Sequence, residues 1–147
     1  MSGNAAYAER NRAERERLGR LIERLSDDDL RRAIPGTEWS VADALAHLAF
    51  YDRRAQILME KFARDGVTSS PLDPQTINDA LLRLTRLISP RAIAEEALTA
   101  AEAADRAADA LSDAVLAEIR ARGEVKPGRF EHRASHLADI EAALQAE

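Results

Sequence analysis

Apolar residues recur along this chain at three- and four-residue spacing, in blocks separated by turn formers. No block alternates in twos for long enough to read as a strand, so the pattern predicts an all-helical protein. The first helix runs from about Ala5 to Leu25, on the stripe Tyr7, Leu18, Leu21, Ile22 and Leu25. Ser26, with Asp29 three residues on, is a capping box and predicts a short helix over Asp27 to Ala33. Pro35-Gly36 then breaks the chain.

The second main helix has the clearest start. Ser40 is its N-cap, Asp43 stands at N3, and Trp39 occupies the staple position before the cap. Its stripe is Val41, Ala44, Leu48, Tyr51, Ala55, Leu58, Met59 and Phe62, and Gly66 is placed to end it. Val67 to Asp73 reads as a crossover loop. Asp73-Pro74 opens a further helix with Ile77, Leu81, Leu84 and Ile88 on one face, and Ser89-Pro90 repeats the cap-and-proline device. The next helix, about Pro90 to Leu111, carries Ile93, Ala97, Ala100, Ala101, Ala104 and Leu111. Such small residues predict close neighbours. Ser112-Asp113 starts a short helix to about Arg122, and Gly123, Pro127 and Gly128 mark a turn. The last helix spans about Phe130 to Ala146, with Phe130, Leu137, Ile140 and Leu144 inward. Four long amphipathic helices bury their faces best as a four-helix bundle.

Composition narrows the chemistry. With 147 residues and 46% hydrophobic content, residues 1–147 read as a single domain that needs no disulfide or structural metal to hold a core. There is no cysteine, which excludes thiolate ligands and a cysteine nucleophile. No apolar run approaches the roughly 18 residues of a membrane span. The segment Met1 to Arg20 is too polar for a signal peptide, so a soluble cytoplasmic protein is expected. Net charge is −5, and no basic stripe interleaved with aromatics argues for nucleic acid.

The histidines are the candidate chemistry. There are three, His47, His132 and His136. The last two stand at i and i+4, about 40° apart around one helix, where two imidazoles can grip one divalent ion. His47 lies on the second helix, about 70° from the centre of its apolar stripe. Three neutral imidazoles leave a coordination position open, as catalytic metals require. Surface histidines on the flank of a helix fit the same spacing, and the wheel alone does not separate the two readings.

The stretch Glu38-Trp39-Ser40-Val41-Ala42-Asp43-Ala44-Leu45-Ala46-His47-Leu48 resembles the W-S-x-x-[DE]-x-[LI]-x-H-[LI] signature of the DinB-like superfamily, which includes the mycothiol-dependent maleylpyruvate isomerase N-terminal domains. The tail His132-Arg133-Ala134-Ser135-His136-Leu137 resembles that superfamily's H-x-x-x-H on its last helix. The resemblance implies an up-down-down-up four-helix bundle with a long connection between the second and third helices, expected at Val67 to Asp73. It implies convergence of His47, His132 and His136 on zinc, nickel or iron. It also implies a low-molecular-weight thiol as cosubstrate for an S-transferase or isomerase; a hydrolase using metal-bound water is a related expectation. The alternative is a non-catalytic stress protein that binds a metal or small molecule on the same bundle.

Several polar residues qualify as supports. Asp43, Glu131 and Asp139 lie within a turn of the histidines, where carboxylates commonly orient ligating imidazoles, though a cap or a solvated charge explains each as well. Asn11 and Glu14 interrupt the first helix's apolar stripe; either that end is frayed and exposed, or Glu14 faces the cleft as a substrate contact or base. Tyr51, one turn past His47, is a core residue or a hydroxyl within reach of a ligand. The alanine-rich helix is the expected face for pairing as a homodimer.

Overall fold

A computed structural model describes residues 4–146, and Met1 to Gly3 of the polar leading segment lie outside the described residues. Among the described residues seven helices follow in order: α1 Asn4–Arg24, α2 Asp27–Arg31, α3 Val41–Asp65, α4 Pro74–Thr85, α5 Pro90–Asp109, α6 Asp113–Arg122 and α7 Phe130–Gln145. No strand occurs among the described residues. An isolated bridge joins Ala33 to Ser40, where Ile34 N–H donates to the Trp39 carbonyl at 2.9 Å and Val41 N–H to the Arg32 carbonyl at 2.9 Å. Gly36, at φ +80°, makes the tight return between them. This clip fixes Trp39 and Ser40 immediately before α3.

The starts of these helices follow their sequence signals. Ser26 with Asp29, and Ser40 with Asp43, form complete capping boxes. Asp73, Ser89 and Ser112 each cap the next helix with a side-chain oxygen. Gly123 ends α6 in the left-handed conformation at φ +70°, which a side chain would strain.

The long helices α1, α3, α5 and α7 form the bundle, in which α3 and α1 each pack on both α5 and α7. Ala94, Ala97, Ala100, Ala101 and Ala104 are fully buried, so α5 lies close against α3 as its small residues predict. Burial falls into two apolar clusters. One gathers Leu18, Leu21, Leu45, Leu48, Ala97, Leu137 and Ile140; the other gathers Tyr7, Met59, Phe62, Ala108, Leu116 and Ile119. Buried polar residues from all four long helices stand along the same elements: Asn11 of α1, Asp52 of α3, Asp105 of α5 and Arg133 of α7.

Four expectations need correction. The short helix α2 ends at Arg31, because Arg32 is already extended and feeds the clip. The connection between α3 and α5 is longer than the loop at Val67 to Asp73, since α4 belongs to it. The α4 helix stops at Thr85 rather than reaching Ile88, and its apolar face is not core: none of its residues is buried, with Leu84 65% and the following Ile88 47% exposed. Its stripe has no fifth partner, because the interior is already filled by the four long helices. The alanine face of α5 is consumed inside the bundle and is not free to pair with a second copy. Among the described residues, no helix is long and apolar enough to cross a membrane.

Candidate metal centre

Three imidazoles from two helices meet. The Ser40 capping box sets where α3 begins, and His47 follows two turns later. His132 and His136 stand one turn apart on α7. One ring nitrogen from each of the three lies within 4.8 Å of the others. His47 Nε2 and His132 Nε2 are 3.0 Å apart, and all three ring centroids are 4.7 to 5.0 Å from one another. Nitrogens about 2 Å from one first-row ion stand at most about 4 Å from one another, and the His47–His132 pair already meets that limit. Nδ1 of His47 and of His132 are buried without a hydrogen-bond partner. Protein groups therefore leave part of the cluster's polar demand unmet, a costly arrangement for buried nitrogen.

Burial keeps the rings neutral. It lowers the His132 pKa to about 3, helped by His136, Arg129, His47 and Arg133. It lowers His47 to about 4, with the His136 charge adding to the effect. His136 is lowered by burial too, against the opposing pull of Asp139. Neutral imidazole is the form that ligates a metal.

Neutral side chains wall the cluster. The Trp39 ring lies 4.9 Å from His47 and stacks on His136 at 6.2 Å, so it does more than staple α3. Tyr51 packs at 4.7 Å from His47 and 5.7 Å from His132, and its hydroxyl donates to Asn78 Oδ1 at 3.2 Å. Asn78 also bears on His47, so the otherwise exposed α4 contributes a polar group to the site. A cavity of about 370 Å³ opens beside His132, lined by Tyr51, Lys126, Gly128, Arg129 and Glu131.

Two of the carboxylates expected near the site, Asp43 and Glu14, go elsewhere. Asp43 accepts from Ser40 N–H at 2.9 Å and pairs with Arg86 at 3.1 Å, so it is a cap and an ion-pair partner, not a support for His47. Glu14 pairs with Arg17 at 3.1 Å, and Arg17 also holds Glu141. That ion pair, not the cleft, takes its charge. Glu131 and Asp139 are exposed. Asn11, by contrast, is 1% exposed: its amide donates to the Pro127 carbonyl, and its oxygen accepts from Phe130 N–H. The polar break in the first stripe is thus packed, not frayed.

Arg133 escaped the sequence reading. It is fully buried, and all five of its N–H groups find acceptors. Nε donates to Asp52, Nη1 to the Asn11 carbonyl and Asp105, and Nη2 to the Ala101 carbonyl and Asp105. One side chain of α7 therefore ties to α1, α3 and α5, directly beside His132. Asp52 also accepts from Arg129 at 2.8 Å, and Arg15 closes on Asp105. A usable signal was present: Asp52, Asp105 and Arg133 each interrupt an inward face with a charge.

The description that matches the chain is the mycothiol maleylpyruvate isomerase N-terminal domain, over residues 11–145. No curated protein and no solved structure matches. The matched span takes in both histidine motifs and every long helix except the first turns of α1. The chain therefore belongs to the mycothiol maleylpyruvate isomerase N-terminal domain family.

Proposed function

We propose that His47, His132 and His136 hold one divalent ion of zinc, nickel or iron, and that the protein uses it to transfer or isomerise with a low-molecular-weight thiol. The observation that carries this reading is the convergence of three neutral imidazoles within 4.8 Å, drawn from helices distant in sequence. The family description names a thiol, mycothiol, and this chain has no sulfur nucleophile of its own to supply. An ion held by three imidazoles supplies Lewis acidity and lowers the pKa of a bound thiol or water.

The chain's own residues bind and orient. Trp39 and Tyr51 shield the imidazoles from bulk water and set the plane of approach. The Tyr51 hydroxyl and the Asn78 amide offer hydrogen bonds to a bound molecule. Burial holds the Tyr51 phenol above its ordinary pKa, so it stays a donor at neutral pH. Burial, joined by the charges of His136, Arg129, His47 and Arg133, keeps His132 unprotonated.

The test is metal content of the untagged protein beside His136→Ala, followed by thermal shift over a panel of small thiols. Near-stoichiometric metal in the native chain, lost in His136→Ala, supports the site. Equal trace metal in both overturns it. Metal without any response to thiols supports the non-catalytic binding protein instead.

A further inference from the structure

We infer that Arg129, with Lys126, forms an anion subsite beside His132 that seats a single carboxylate of the molecule handled at the histidines. The inference rests on the metal reading above for its role, but not for its physics. Arg129 is 8% exposed, and its Nε is held by Asp52 at 2.8 Å. Its Nη1 and Nη2 make no hydrogen bond to any described residue, although a guanidinium presents five donors. Arg129 forms part of the wall of the cavity of about 370 Å³ that also includes His132 and Tyr51. A buried guanidinium held at one nitrogen and open at two is preorganised for a bidentate carboxylate.

The charge balance favours one anion. Asp52 divides its charge between Arg129 and Arg133, and Asp105 divides its own between Arg133 and Arg15. Inside the bundle the two guanidiniums of Arg129 and Arg133 are thus matched by two carboxylates, while Arg15, its side chain 27% exposed, reaches Asp105 from the surface. Asp109 also faces Arg15 at the surface, outside the buried set. At the rim, Lys126 and Glu131 are both exposed and oppose each other. With the surrounding charges balanced, the two open nitrogens of Arg129 suit a singly charged carboxylate better than a dianion. A second cavity of about 550 Å³ shares Lys126, Gly128 and Glu131 with the first and has room for the rest of the ligand, against Tyr7, Phe130 and Pro127.

The experiment titrates metal-free protein with sodium propionate at constant ionic strength, following amide signals of Gly128, Arg129 and Glu131 by NMR. Saturable shifts at these residues are expected. Lys126→Ala should weaken binding and Glu131→Gln should strengthen it, each by roughly threefold as rim charges do. Arg129→Lys should weaken it roughly tenfold or more through loss of the paired donors. If Arg129→Lys misfolds for want of its Asp52 contact, the two exposed substitutions still decide, since misfolding cannot produce opposite signs. Identical affinities in the native chain, Lys126→Ala and Glu131→Gln overturn the subsite, as do shifts confined to other surfaces. A cobalt titration separates the two readings. Cobalt binding without a propionate response removes the subsite alone, and a propionate response without cobalt binding removes the metal reading alone.

Discussion

His132 sits where burial and positive charge act in the same direction. Its pKa falls to about 3 and that of His47 to about 4, against an ordinary 6.5. Between those values and 6.5 the unfolded chain binds more protons than the folded one, so stability must fall as pH is lowered. The contribution is complete above 6.5 and is lost on acidification through the window. Metal-free protein should therefore show a constant Tm above pH 7 and a declining Tm from 6.5 downward, already at about pH 5.5 before carboxylates titrate. Calorimetry on the native chain and on His47→Gln/His132→Gln checks it, with the variant expected to be flatter. A native Tm that does not move between 6.5 and 5.5 contradicts the burial account.

Residue-scale cost is steepest at Asp52. It is 1% exposed and carries two guanidiniums. Asp52→Ala leaves Arg129 buried without its carboxylate and Arg133 with Asp105 alone, which costs about 3–5 kcal/mol. Urea unfolding measures it, and a loss below about 1 kcal/mol would mean that water reaches the ion pairs.

At the scale of elements, the start of α3 governs the site. Ser40 and Asp43 exchange hydrogen bonds of 3.1 and 2.9 Å across the first turn, and the Gly36 clip holds the cap. Ser40→Ala should lose about 1 kcal/mol, read by thermal or urea unfolding. Its second effect is local: fraying at α3 loosens Trp39 against His47 and His136. Trp39 is the one tryptophan, so its fluorescence should change in Ser40→Ala and not in Ser112→Ala, which removes a cap elsewhere. The α4 helix behaves differently. With Leu84 65% exposed, Leu84→Ser should shift stability by no more than about 0.5 kcal/mol. Leu45→Ala, at a fully buried position, should lose about 2–5 kcal/mol. Comparable losses at both positions would show that α4 is packed after all.

Across the whole molecule, one buried polar set crosses the bundle and joins its four long helices through Arg133. Apolar contacts tolerate sliding, because one methyl group resembles another. Five directed hydrogen bonds do not. The Arg133 set therefore holds the rotation and height of α7 against α3, and His132 takes its place opposite His47 as a consequence. The same set holds Arg129, through Asp52, in the wall of the cavity beside His132, so the ionic core and the candidate ligand site are parts of one construction.

Much of this was legible in the sequence because it depends on neighbours in the chain. Helical spacing of Leu18, Leu21 and Leu25, the two capping boxes, the cap-proline starts and the i, i+4 histidines are local facts, decided within a turn or two. So was the match of Trp39 to Leu48 and of His132 to Leu137 to a known signature. The rest depends on which faces meet. A helical wheel places Asn11, Asp52, Asp105 and Arg133 near inward faces but cannot pair them, since 28 to 122 residues separate the partners of Arg133 from it. Nor does amphipathicity reveal that the bundle is full before α4 arrives, or that Asp43 and Glu14 spend their charge on arginines. Tertiary packing alone decided those points, because desolvation and ion pairing act between surfaces that the chain brings together only when it folds.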